Sequence, residues 1–122
     1  MSVIPSAGSV PAVEWQRLTK QALDSVIVGK RNVKSVTAAH TASRGEDVIL
    51  VNATGGAVTV TLPAAGQYSG LQFIIKKTDA SANAVTIDGS GAETIDGAAT
   101  QVLTVQYQSI TVVSDGTGWQ IT

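Results

Sequence analysis

From Glu46 onward the chain consists of short β-branched runs separated by clusters of glycine, aspartate and asparagine. That texture predicts an all-β domain built from many short strands. Ten of the twelve glycines lie at or after Gly45. The candidate strands are Val48–Val51, Val58–Leu62, Leu71–Lys76, Ala84–Ile87, a short piece at Thr94–Ile95, Gln101–Val105, Ser109–Ser114 and Trp119–Ile121. In Val58–Leu62, the residues Val58, Val60 and Leu62 point one way and Thr59 and Thr61 the other, which predicts a half-buried strand with a threonine outer face. Phe73 alternates with Leu71 and Ile75 and reads as core, and Trp119 reads as a cap on that core. Thr54-Gly55-Gly56, Asp88-Gly89, Asp96-Gly97 and Asp115–Gly118 supply residues that tolerate positive φ between paired strands. The tetrad Thr-Ile-Asp-Gly occurs at 86–89 and again at 94–97. Two copies alone indicate successive short sheet edges and not a solenoid.

The preceding third has a different texture. Residues 1–10 are small and polar and read as an arm. Pro11 suits the first turn of a helix, and from Ala12 to about Asp24 the residues Trp15, Leu18, Ala22 and Val26 recur at helical spacing. Such a short helix is marginal alone, so its stripe must pack on its own domain, on symmetry copies or on a partner. Residues 30–45 read as a connector with one short strand at Val33–Thr37. The expected organisation is an arm, helix and connector over 1–45, serving attachment, and a β-domain over 46–122.

Charge follows the same division. The net charge is −1 and only 14% of residues are charged. Residues 1–44 nevertheless hold six basic and two acidic side chains, against two basic and seven acidic in 45–122. The basic third is suited to docking on an acidic surface, with Arg17, Lys20, Lys30, Arg31 and Lys34 as candidate anchors and Trp15 beside them. No apolar run approaches the ~20 residues that span a bilayer, and the N-terminus has no secretory pattern. A cytoplasmic origin and no membrane role are therefore expected.

Catalytic constellations are missing from the sequence. There is no G-x-S-x-G elbow, phosphate loop or G-x-G-x-x-G. Without cysteine the lone His40 would need carboxylates to hold a metal, and Glu46 and Asp47 are the near ones; a solvent-exposed connector histidine is expected instead. Asp88–Glu93 resembles a calcium loop but lacks its regular ligands. Asn52-Ala53-Thr54 reads as a hairpin turn. Lys76-Lys77, at a strand end, reads as an edge-protecting pair. The basic third contains one aromatic, too few for nucleic-acid stacking. The expectation is a non-enzymatic protein with no catalytic residue, no cofactor, no metal and no nucleic-acid partner. Tyr68, in the loop Pro63–Gly70, is the candidate exposed contact.

Several segments carry a resemblance: Thr61–Gly66, Ile75–Gly89, Glu93–Gly97 and Ser109–Trp119. They resemble a β-module of bacteriophage virion proteins, found in tail fibres, head fibres and capsid decoration (cement) proteins, and the likeness covers about residues 48–122. The resemblance implies a small antiparallel β-sandwich or jelly-roll-like domain, commonly a homotrimer displayed on the virion. A thin, aromatic-poor β-domain also gains by burying surface in a symmetric oligomer. The function expected is a decoration protein bound to the major capsid protein lattice on the capsid surface, stabilising the particle. The alternative is a tail- or head-fibre tip that binds a host surface glycan, or tail proteins, in which case Tyr68, Asn83 and Asp88 would converge.

Overall fold

A computed structural model describes residues 30–122. The expected arm and helix, and with them Trp15, Arg17 and Lys20, lie outside the described residues. The strands are β1 (Val33–Val36), β2 (His40–Thr41), β3 (Val48–Val51), β4 (Val58–Thr61), β5 (Gln72–Lys77), β6 (Val85–Asp88), β7 (Thr100–Leu103), β8 (Ser109–Ser114) and β9 (Trp119–Ile121). A single turn of 3-10 helix at Ala65–Gln67 is the one helical element among the described residues. The β-branched runs therefore fold as expected, while Thr94–Ile95 shrinks to an isolated bridge at Ile95. Residues 33–41, expected in the connector, contribute β1 and β2 to the sheets.

The pairing is mixed, not antiparallel. One sheet has the order β1-β3-β5-β8-β9 and the other β2-β4-β6-β7. Up to β6, successive strands alternate between the sheets, and each pairs in parallel with the strand two before it. The chain thus winds through three coils, β1–β2, β3–β4 and β5–β6, in the manner of a short solenoid; the two tetrads are not its repeat, since one lies in β6 and the other at the Ile95 bridge. It then reverses: β7 lies antiparallel on β6, β8 on β5, and β9 on β8. Alternation of apolar and polar residues specifies a strand and its buried face but not the direction of its neighbour, so the parallel winding left no mark on the pattern.

The winding also changes what the turns do. Thr54-Gly55-Gly56 joins β3 to β4, which lie in different sheets, so it is a corner and not a hairpin. Asn52 is part of that corner, its Oδ1 accepting the Thr54 N–H at 3.0 Å. Asp115–Gly118 does join paired strands, β8 and β9. Asp96 and Gly97, at φ 50° and 82°, make the tight turn that returns Ile95 to Ala98. Gly89 is needed for a different reason: a Cβ there would strike the backbone carbonyl of Glu93.

Both sheets feed one apolar cluster. Ile49, Val51, Phe73, Ile75, Ile110 and Val112 enter it from the first sheet, and Val58, Val60, Val85, Ile87 and Leu103 from the second. Phe73 and Trp119 meet with ring centroids 5.8 Å apart. The outer faces differ sharply. The second sheet carries the cross-strand rows Thr41–Thr61–Asp88–Thr100 and Thr59–Thr86–Val102. On the first sheet one row runs Val33–Val48–Ile74–Thr111 and the next Ser35–Leu50–Lys76–Ser109.

Candidate functional site: an arginine–tyrosine cleft at the coil corners

Winding between two sheets produces two groups of corners. One group comprises residues 37–39, 52–57, 78–84 and 104–108, and the other residues 42–47, 62–71, 89–99 and 115–118. In each group a carboxylate of the later coil accepts a backbone N–H of the preceding one. Asp79 Oδ1 accepts from Ala53 at 2.7 Å, and both oxygens of Glu93 accept from Ala65, at 3.0 and 3.1 Å.

The first group is closed around a buried ion pair. Lys77 is fully buried, and its Nζ donates to Asp79 Oδ2 at 2.7 Å. The edge-protecting role expected of Lys77 is therefore corrected. β5 is the central strand of its sheet, and in the parallel register Lys77 lines up with Val51 on the inward row. The Ser81 hydroxyl donates to Asp79, and Asn83 Nδ2 donates to the Ala53 carbonyl at 2.8 Å. The Lys77 ammonium, and next the Ser81 hydroxyl, hold the Asp79 carboxyl far below the usual carboxylate range despite its burial. Its two charges are paired, and the lysine, aspartate, serine and Asn83 amide nitrogen are all engaged in holding the corner.

The second group is open. Arg44 lies in the first corner and Tyr68 in the second, and the Arg44 guanidinium sits over the Tyr68 ring, 5.5 Å from its centroid. Arg44, Gln67, Tyr68, Ser69, Gly70 and Leu71 line a cleft of about 410 Å³. Its floor is held from beneath. Gly70 N donates to the Ser114 carbonyl at 2.8 Å, Leu71 N to the Tyr68 carbonyl at 2.9 Å, and the buried Ser114 hydroxyl to the Ala65 carbonyl at 2.8 Å. Cation–π attraction draws the guanidinium to the ring, and among the described residues its N–H groups have no hydrogen-bond or ion-pair partner. Among the described residues no carboxylate lies within ion-pair distance of Arg44.

Beside this cleft, His40 is half-buried on the inward side of β2 and not a solvent-exposed connector residue. Its Nε2 is 2.9 Å from Glu46 Oε1, which also accepts the Ser43 N–H at 3.2 Å. Burial works to raise the Glu46 pKa. The hydrogen bonds from His40 and Ser43 and the charges of His40 and Lys34 outweigh it and hold the carboxyl below its ordinary value.

The residues expected at a site are thus dispersed. Lys30, Arg31 and Lys34 are exposed, ahead of and within β1. Tyr68 lines the cleft, but Asn83 is engaged in the closed corner and Asp88 lies on the threonine face, so the three do not converge. Among the described residues no cluster of three or more His, Asp or Glu side chains could hold a metal ion, and no helix is long and apolar enough to cross a membrane. No protein-family model and no curated protein matches the chain. Arg44 was missed because only the winding brings it to Tyr68; its one sequence signal is an arginine in a polar corner between two apolar runs.

Proposed function

We propose that the chain is a non-enzymatic structural protein of a bacteriophage particle, a decoration (cement) protein that binds the outer face of the major capsid protein lattice as a homotrimer and stabilises it. The observation that carries this reading is the outer face of the five-stranded sheet. Val48, Leu50, Ile74 and Val113 are only half-buried there and Val33 is 60% exposed, whereas the other outer face is mainly threonine, with Asp88 and one exposed apolar residue, Val102. A row of that kind gains by being covered in a symmetric assembly. The exposed Lys30, Arg31 and Lys34 supply cations for an acidic lattice, as Arg17 and Lys20 would from the chain's first part. The resemblance of residues 48–122 to phage virion modules supports the location on the particle.

The test is the solution mass of the purified chain, alone and with empty capsids. A species near three times 12.5 kDa that co-sediments with capsids, and loses that binding when Lys30, Arg31 and Lys34 are all changed to Glu, is the expected result. A monomer that ignores capsids overturns it. A trimer that ignores capsids favours the second reading, a head- or tail-fibre tip that binds a host surface glycan, which the cleft at Tyr68 supports.

A further inference from the structure

The cleft between the coil corners has a chemistry of its own, whether the β body sits on a capsid or on a fibre. It offers one cation, Arg44, braced on Tyr68. Around that cation stand neutral hydrogen-bonding groups: the Gln67 amide and the hydroxyls of Ser69 and Tyr68. Leu71 is the one large aliphatic side chain in the lining, and no carboxylate lines it. A ligand matched to these walls is polar along its whole length and carries one anionic group. Its volume of about 410 Å³ lies in the range of small-molecule sites. The loop is already tied down, through Glu93 to Ala65, Ser114 to Ala65 and Gly70 to Ser114, so little ordering cost remains when a ligand binds.

We infer that this cleft binds an acidic sugar unit, its carboxylate received by the Arg44 guanidinium and its hydroxyls by Gln67, Ser69 and Tyr68. The planar guanidinium carries pairs of parallel N–H groups that match a carboxylate, which favours bidentate recognition over simple charge attraction. The neutral donors and acceptors then discriminate a hydroxylated ring from a bare anion. A free carboxylate or an inorganic oxyanion satisfies the first requirement and not the second. A neutral sugar satisfies the second and not the first.

The experiment is a proton–nitrogen NMR titration of the full chain with glucuronate, and in parallel with glucose, acetate and inorganic phosphate. Glucuronate is expected to shift the amides of Arg44 and of residues 67–71 saturably. Glucose, which lacks the charged partner, and acetate, which lacks the hydroxyls, should each bind at least about tenfold more weakly, the difference expected when one charged hydrogen bond or two neutral ones are absent. Arg44→Gln should lose a similar factor for glucuronate while its spectrum elsewhere overlays that of the parent, and Arg44→Lys should recover only part of the loss. Acetate or phosphate binding as tightly as glucuronate overturns the proposal in favour of a plain anion site. So does glucuronate binding that is indifferent to Arg44→Gln, or the absence of any saturable shift. None of these failures bears on the decoration reading, which rests on the sheet face and on capsid binding.

Discussion

The two groups of corners answer the same structural problem with opposite chemistry. Each must join successive coils, and each does so by aiming a carboxylate at a backbone N–H of the coil before it: Asp79 at Ala53, Glu93 at Ala65. In the first group the carboxylate is shared with a buried lysine and a serine, and the corner is sealed. In the second group the cation that lines the cleft, Arg44, sits over a tyrosine and is unpaired among the described residues. Polar atoms used up in holding the chain cannot recognise anything else. The difference therefore separates a corner that serves the fold from one with donors to spare.

The sharpest way to break the comparison is to remove the cation of the sealed corner. Lys77→Met fills a similar volume but leaves Asp79 charged, without its ammonium partner, beside the core. Its melting temperature should fall by about 10 °C or more, and Lys77→Met combined with Asp79→Asn should recover much of that loss. Thermal unfolding of the two variants checks this; an unchanged midpoint for Lys77→Met would show that the pair is not structural.

Acid is a second way to reach that corner, and it reaches the turn between β8 and β9 as well. The Asp79 carboxyl is held low by Lys77 and Ser81, and the Asp115 carboxyl by the backbone N–H groups of Thr117 and Gly118 with help from Gln120. Both folded pKa values lie below the ordinary value of 3.8, so the stability these groups contribute is fully present above it and drains away as pH falls below it. Urea midpoints should be level at neutral pH and fall steeply below about pH 4. Asp115→Asn should flatten part of that acid limb, and Lys77→Met should flatten another part, because the group that holds Asp79 low is gone. An acid limb of parental slope in both variants would contradict this assignment.

A backbone probe tests the second group. Gly89 leaves room for the Glu93 carbonyl, and Glu93 in turn holds Ala65 at the base of the cleft loop. Gly89→Ala forces that carbonyl away and should cost about 1–3 kcal/mol, the range of overpacking at a tight site. Amide exchange should quicken at Ala65 and at residues 67–71 more than at residues 78–84. Uniform acceleration across both groups would mean that the corners do not behave as separate units.

How much of this was legible beforehand follows from what each feature needs. The β-branched runs announced themselves because strand alternation is local, and Phe73 read as core for the same reason, while Trp119, expected as a cap on the core, is fully buried within it. The winding had no such signature. Along the first sheet Val33 pairs with Val48 and Val48 with Ile74, while along the second His40 pairs with Val60 and Val58 with Val85. Coils of such unequal length leave no period in the sequence. β2, at two residues, is too short to show a pattern at all. Lys77 resembled an edge guard because a lysine at a strand end usually is one; alternation with Phe73 and Ile75 turns it inward, and the position of β5 between β3 and β8 leaves it no sheet edge to guard. Tyr68 could be found from its loop, but its partner Arg44 comes from a different corner.

The smallest expected effect is the most discriminating. Arg44 is exposed, sits over the Tyr68 ring, and has no carboxylate to leave stranded among the described residues. Arg44→Ala should change stability by no more than about 0.5 kcal/mol, as substitutions away from buried networks do. A urea denaturation curve overlaying that of the parent is the expected outcome. A loss of 2 kcal/mol, on the order of a buried-network substitution, would place Arg44 with Lys77 as a structural cation and remove the contrast between the corners. A cation that can be deleted at so little cost to the fold is one whose donors remain available to something outside it.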